Sequence, residues 1–268
     1  MFRISAVDFL NARPLTWGFL KDPPPGVSVS RDLPAVCAEK LARGEADAGL
    51  IPSIEFKRIP GLARIAGLGI AADTEVRSVL LVSKVSRGRI RSVSLDPASR
   101  TSAVLVRLLL KHVYGLNPEY LVRQASPNAS RLTPDVPVDA ELIIGDPALK
   151  TRLRGRVVLD LAAEWKSWTG FPFVFAFWAV RREAWRDGLP ELFVRSRRFA
   201  VENFDSLVEE ELRTIAATSG LTRAMIEDYL TYGLHYELTR ADEEGLALFY
   251  RLASEEGALS QETAAISR

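Results

Sequence analysis

A buried strand that leads directly into a hydroxyl-rich helix start constrains the fold of this chain more than any other feature. Residues 90–95 have the apolar pattern of a short strand, and Asp96-Pro97 ends it because proline cannot donate to a sheet ladder. The apolar run over residues 103–114 predicts a helix that ends at Gly115. A strand that turns into a helix in this way is typical of α/β folds.

Three hydroxyl side chains, Ser99, Thr101 and Ser102, stand between this strand and this helix. A first helical turn has unpaired N–H groups and the positive end of the helix dipole, so the segment predicts a site for a carboxylate or a phosphate. The alternative is that these side chains only cap the helix, which is the commoner role of serine and threonine there. The sequence leaves both interpretations open.

Other polar or aromatic residues occupy comparable places along the chain. Asn11 comes just after the first predicted strand, and Ser53 follows a compact buried strand over residues 47–51. Asp146 follows a third strand within Gly-Asp-Pro, where it either caps a helix or faces a ligand. Ser78 lies among Val and Leu, so its hydroxyl either bonds to a neighbour or faces a cavity. Phe173, near the start of an aromatic strand, is a candidate cleft residue, although such aromatic density is more often core.

Strands and helices alternate through most of the chain, which predicts an α/β protein. A length of 268 residues with 47% hydrophobic residues fits two modest lobes. We predict a first lobe of residues 1–87 and 178–268, with a helical C-terminal segment, and a second lobe of residues 88–177. Because the candidate polar groups fall at strand ends and helix starts in both lobes, a cleft between the lobes is the expected ligand site.

Composition and motifs exclude several function classes. The net charge of +1 gives no support for a nucleic-acid or membrane-surface partner. The sequence has no dinucleotide-binding or P-loop fingerprint and no metal-ligand spacing, so no cofactor and no metal are expected. We find no secretory signal or spanning segment, which predicts a cytoplasmic protein. Cys37 is expected to be a buried thiol, and Asp32 to cap the helix that follows it.

Six short blocks together resemble the chorismate dehydratase family in one consistent order along nearly the whole chain. Each block alone is weakly specific; they are residues 10–15, 49–55, 78–81, 99–102, 144–149 and 164–173. The resemblance implies a two-lobed, type II periplasmic binding protein-like fold with central mixed sheets. It also implies conversion of chorismate, a dicarboxylate, to 3-[(1-carboxyvinyl)oxy]benzoate and water, in the futalosine route to menaquinone.

The resemblance assigns roles to the residues in these blocks. The hydroxyls of Ser99, Thr101 and Ser102, with their backbone N–H groups, would bind one carboxylate of the substrate. Ser53 and Ser78 would bind the other end of the substrate or its ring carboxylate.

The remaining matched positions complete this implied site. Asn11 would position the leaving hydroxyl or the enolpyruvyl group, and the substrate-binding set also includes Arg100, Gly145 and Phe173.

The base of this implied reaction is open, because Asn, Ser and Thr without a histidine partner are poor bases at neutral pH. Asp146 is the only acidic side chain among the matched positions assigned to the cleft. It either takes a proton, or hydrogen-bonds the C4 hydroxyl while a substrate carboxylate acts as base. We favour the second reading, since a site that holds a dianion resists another ionised base. Whether Arg13 or Arg77 contacts substrate is also open.

Two other enzyme or binding functions compete with this one. A sister family in the same pathway acts on cyclic dehypoxanthine futalosine and carries a His near the position of Asp146, which this chain lacks. A non-catalytic small-anion binding protein is the rival from another class, and a regulator's sensor domain is disfavoured because no basic helix-turn-helix precedes the first strand. The protein is expected to be a monomer or a homodimer.

Overall fold

The computed structural model describes residues 1–122, 137–151 and 153–259 of the chain. Within these ranges eleven strands form two sheets, one of six strands and one of five, and helices pack against both. The predicted α/β class with two mixed sheets is confirmed.

The first sheet has the strand order β11-β4-β10-β3-β1-β2. Its strands are β1 (Phe2–Val7), β2 (Val27–Asp32), β3 (Ala48–Pro52), β4 (Leu62–Ala72), β10 (Phe173–Arg181) and β11 (His235–Glu237). The helices of the same lobe are α1 (Arg13–Lys21), α2 (Pro34–Arg43), α3 (Glu55–Arg58), α7 (Leu189–Glu202), α8 (Phe204–Ser219), α9 (Arg223–Thr231) and α10 (Arg240–Glu255).

The second sheet has the strand order β7-β6-β8-β5-β9. Its strands are β5 (Val79–Ser83), β6 (Ser92–Leu95), β7 (Glu119–Val122), β8 (Ala140–Ile144) and β9 (Val157–Asp160). Its helices are α4 (Thr101–His112), α5 (Asp146–Lys150) and α6 (Leu161–Thr169).

Both sheets combine parallel and antiparallel pairs. In the first, β1 runs parallel to β2 and β3, whereas β10 runs antiparallel to β3 and β4. In the second, β6 is parallel to β7 and β8, whereas β5 is antiparallel to β8 and β9. The antiparallel strands β5 and β10 are the first strands after the chain passes from one lobe to the other.

The two sheets divide the chain earlier than the predicted boundaries at residues 88 and 178. Strand β5, predicted to lie in the first lobe, pairs with β8 and β9 of the second sheet. Strand β10 belongs to the first sheet from Phe173 onward, although residues 173–177 were predicted to lie in the second lobe. The reason is that a fully buried strand such as β5 carries no pattern that selects one sheet over another, so only its partners decide.

Aromatic packing around β10 forms a large part of the core. Trp178 packs edge-to-face on Phe19 at a centroid distance of 5.8 Å. Phe173 is 1% exposed, and its ring lies 5.3 Å from Trp165 and 5.0 Å from Phe249. Phe173 is therefore a core residue that joins β10 to α6 and α10.

Three local features complete the fold. Asp32 ends β2 instead of capping α2: Leu33 is the N-cap, and the Asp32 carboxylate accepts hydrogen bonds from Ser5 and Lys40. The Cys37 thiol is buried, which raises its pKa to about 12 and leaves it unreactive as a nucleophile. Across the described ranges, the helices are all too short or too polar to cross a membrane.

Candidate active site

A small cavity lies between the two lobes, where the candidate polar groups meet. Its volume is about 60 Å³, which is smaller than the roughly 300–1,000 Å³ of most sites for small organic ligands. Residues of both lobes line it: Val7, Phe9, Asn11, Pro34, Pro52, Ile70, Val79, Ala98, Ser99, Arg100, Thr101, Ser102, Ile144, Gly145, Phe175 and Ala176.

The N-terminus of α4 faces this cavity without a side-chain cap. Arg100 occupies the N-cap position in a helical conformation, and its side chain makes no capping hydrogen bond. Ser99 and Ser102 are 5% and 6% exposed. Ser99 Oγ is buried and has no hydrogen-bond partner among the described residues. Of the two interpretations of this segment, the structure therefore does not support simple capping.

An anion is the ligand that suits this helix start. The N–H groups of the first turn and the helix dipole favour negative charge, and the buried Ser99 hydroxyl adds a donor that the protein itself leaves unused. The Arg100 guanidinium bonds to Glu39 at 3.1 Å, so that carboxylate balances its charge. The groups that this helix start offers to an anion are therefore neutral donors rather than a free cation.

Thr101 and Ser53 join the two lobes beside the cavity. Thr101 Oγ1 accepts a hydrogen bond from the Ile54 N–H at 3.2 Å and lies 3.4 Å from Ser53 Oγ. The Ser53 hydroxyl in turn donates to the Val174 carbonyl oxygen at 2.8 Å. Ser53 does not line the cavity, whereas Thr101 does. Thr101 therefore contacts the first lobe through Ile54 and Ser53, whereas the Ser53 hydroxyl donates within its own lobe.

Asn11 comes from a short 3₁₀ turn, Leu10–Ala12, that follows β1. Its side chain lines the cavity, and Asn11 Oδ1 is buried without a hydrogen-bond partner among the described residues. An unpaired buried acceptor is costly unless a ligand supplies a donor. Asn11 is thus placed to accept a hydrogen bond from a ligand hydroxyl.

Asp146 lies next to this turn but outside the cavity lining. Its Oδ1 accepts a hydrogen bond from the Leu10 N–H at 2.9 Å, which forms a second connection between the lobes. Burial raises the pKa of the Asp146 carboxyl, an effect that the Leu10 N–H and the positive charge of Arg13 oppose in part. The carboxyl is therefore engaged structurally at the edge of the site.

The backbone conformation and the surroundings of Gly145 strongly favour glycine at this position. Its φ of 65° and ψ of −149° lie in a region that other residues avoid. A Cβ atom there would approach the Phe9 ring to 2.8 Å. The close contact lets Phe9 lie directly against the backbone of the second lobe, where it forms an apolar wall of the cavity together with Phe175.

Ser78 lies behind the cavity and bonds to a residue that the sequence did not single out. Ser78 Oγ accepts a hydrogen bond from the Tyr229 hydroxyl at 2.7 Å, and both residues are buried. The Ser78 carbonyl oxygen accepts the N–H of Gly145 at 2.8 Å. Tyr229 gave no signal in the sequence because its spacing with Ile226 and Leu230 is that of an ordinary buried helix face.

Neither of the two arginines left open by the sequence lines this cavity. Arg13 is 4% exposed and bonds to Asp8 and Glu211. Arg77 is paired with Asp228 at 2.8 Å. In the portion of the chain that the structure describes, there is also no group of three or more His, Cys, Asp or Glu side chains that could hold a metal ion.

A larger cavity of about 450 Å³ lies between α9 and the strands β5 and β9. Its walls are mostly apolar, and its charged residues already have partners. Arg77 pairs with Asp228 and Glu75, and the Asp160 carboxylate accepts backbone N–H groups. The smaller cavity is the better candidate active site because it contains both Ser99 and Asn11, each of which has a buried polar atom without a hydrogen-bond partner among the described residues.

Sequence comparison decides the family. A sequence model of the family described as "Menaquinone biosynthesis" matches residues 2–255. This chain belongs to that family. It is 29% identical over 242 residues to a chorismate dehydratase of Thermus thermophilus. The aligned region covers 84% of this chain and 86% of the relative. A chorismate dehydratase of Campylobacter jejuni is 30% identical over 185 residues, covering 66% of this chain and 67% of the relative.

Structural comparison confirms the binding protein-like fold of this family member. A protein from Archaeoglobus fulgidus superposes with a TM-score of 0.76 at 16% identity, covering 96% of this chain and 97% of that one. The periplasmic aliphatic sulphonate binding protein of Escherichia coli superposes with a TM-score of 0.56 at 18% identity, covering 93% and 86%. At these identities the likeness concerns the fold alone.

Proposed function

We propose that this protein is a chorismate dehydratase, which converts chorismate to 3-[(1-carboxyvinyl)oxy]benzoate and water. Its family and the two relatives that carry this name support the proposal. Within the structure, the observation that carries it is the uncapped start of α4 with the unused Ser99 hydroxyl, inside a cavity between two lobes. Such a site suits a carboxylate of a small substrate that the lobes enclose.

The substrate carboxylates and ring divide among the cavity walls. We place one carboxylate on the first turn of α4, where it accepts hydrogen bonds from Ser99 and Ser102 and from backbone N–H groups. The apolar ring lies against Phe9 and Phe175. The hydroxyls of Ser53 and Ser78, predicted to bind the other carboxylate, already have protein partners, and we propose that they shape the site rather than bind substrate directly.

The reaction removes a proton from C3 and a hydroxide from C4, and the two combine as water while the ring becomes aromatic. No electrons are gained or lost, so the chemistry requires no redox cofactor. Asn11 Oδ1 is placed to accept a hydrogen bond from the C4 hydroxyl and to orient the leaving group.

We propose that a carboxylate of the substrate takes the C3 proton. Asp146 lies outside the cavity lining and already accepts the Leu10 N–H, which favours a structural role over proton transfer. A second ionised carboxylate beside a bound dianion is also unfavourable because like charges repel in a buried site.

The test is to incubate the purified protein with chorismate and no added cofactor, and to follow the products by chromatography with mass detection. A product lighter than chorismate by one water, with benzoate-like absorption, is expected. Unchanged chorismate would overturn the proposal. If chorismate then still raised the melting temperature, the protein would be a non-catalytic anion binder.

The location and assembly of the enzyme belong to the same proposal. We propose that it works in the cytoplasm, as a monomer or a homodimer, on a small-molecule partner and without nucleic acid. Size-exclusion chromatography with light scattering distinguishes the two assemblies.

A further inference from the structure

Helix α9 places the hydroxyl group of Tyr229 in the interior of the protein. Its buried face consists of Ile226, Tyr229 and Leu230, at spacings of three and four residues, after a start capped by Thr222. Tyr229 is 4% exposed, so its hydroxyl needs a hydrogen-bond partner inside the protein.

The Tyr229 hydroxyl lies beside Ser78, behind the candidate site. It donates to Ser78 Oγ at 2.7 Å. Burial raises the pKa of the Tyr229 phenol well above its ordinary value, and the nearby amide of Asn11 lowers it in part. The phenol therefore stays protonated at neutral pH and remains a donor to Ser78, with the Asn11 amide close enough to affect it.

Both neighbours of this hydroxyl connect to the candidate site. Asn11 lines the cavity with its unpartnered Oδ1, and Ser78 holds Gly145 through a backbone hydrogen bond. Tyr229 itself does not line this cavity. Any effect of Tyr229 on the reaction is therefore transmitted through the residues that it contacts.

We infer that Tyr229 is a positioning residue for the dehydration, whose hydroxyl fixes the amide of Asn11 and the Ser78 segment beneath the substrate. This inference rests on the proposed function. Misplacing a hydrogen-bonding group slows a reaction that depends on the orientation of that group.

The chain offers a matched control for removing this hydroxyl. Tyr236 is 2% exposed, and its hydroxyl has no partner among the described residues. Tyr229→Phe and Tyr236→Phe each remove one oxygen from a buried ring. We expect Tyr229→Phe to lower kcat about tenfold with KM little changed, and Tyr236→Phe to leave both constants as in the wild type.

A double-mutant cycle separates positioning from a general loss of stability. In an Asn11→Ala background, measured by single turnover, Tyr229→Phe is expected to cause a smaller decrease in the rate than it causes in the wild type. An equal decrease in both backgrounds would overturn the inference, as would equal behaviour of the two tyrosine variants. Inactive wild-type protein would overturn the proposed function and this inference with it.

Thermal unfolding checks that the variants fold. Tyr229→Phe leaves the Ser78 hydroxyl without its donor. If this variant does not fold, the double variant Ser78→Ala and Tyr229→Phe replaces it, because it removes both partners of the hydrogen bond. The same decrease in kcat is expected for this pair, and wild-type turnover by it would contradict the inference.

Discussion

The hydrogen bond between Thr101 and Ile54 makes a quantitative prediction about lobe closure. Thr101 Oγ1 of α4 accepts the Ile54 N–H at 3.2 Å across the cleft, and Thr101 and Ile54 are 3% and 0% exposed. Thr101→Val keeps the size and β-branching of the side chain but removes the acceptor. In the closed form the Ile54 N–H then has no partner there, whereas in an open form it bonds to water.

The magnitude follows from the cost of an unpaired buried donor. Such a group costs about 1–3 kcal/mol, so the ratio of closed to open molecules decreases by about 5- to 150-fold. If the substrate binds only the closed form tightly, its Kd rises by no more than the same factor.

Small-angle X-ray scattering without ligand measures this ratio independently of any contact between Thr101 and substrate. We expect a larger radius of gyration for Thr101→Val than for the wild type. Thr101→Ser is the matched control, because it keeps the hydroxyl acceptor and should retain the wild-type scattering curve. Isothermal titration calorimetry with chorismate then measures the change in Kd.

Two results would refute this reasoning. One is a Thr101→Val protein with the wild-type radius of gyration and the wild-type affinity. The other is a Thr101→Ser protein that opens as much as Thr101→Val, which would attribute the effect to the lost methyl group instead of the hydrogen bond.

The other predictions concern the cavity itself. Gly145→Ala should lower the free energy of unfolding by about 1–3 kcal/mol, because of its positive φ and the contact with Phe9, and an unchanged denaturation midpoint would contradict this. Asp146→Asn keeps an oxygen acceptor for the Leu10 N–H and should retain turnover within about tenfold, whereas a loss of several orders of magnitude would make Asp146 the proton acceptor. Ser99→Ala removes a hydroxyl without a protein partner, so it should leave the melting temperature unchanged and raise KM about tenfold, and a KM equal to that of the wild type would remove Ser99 from the binding site.

Much of the cavity lining was predictable from local sequence. Asn11, Ser99 and Gly145 each lie within four residues of the end of a strand, and residues at such strand ends converge in an α/β fold. The roles of Ser53 and Ser78 were not predictable in the same way. Their hydroxyls bond to Val174 and Tyr229, more than a hundred residues away in the chain.

The sequence by itself determined the α/β class, the order of most elements and the helix start that follows Ser99. These depend on hydrophobic period and on proline and glycine, which act within a few residues. Only the tertiary structure decided that β5 joins the second sheet and that Thr101 and Asp146 connect the lobes. It also brought Tyr229 beneath the cleft. The physical reason is that strand pairing and buried hydrogen bonds satisfy groups that are distant in the chain, and no local pattern specifies which partner each will find.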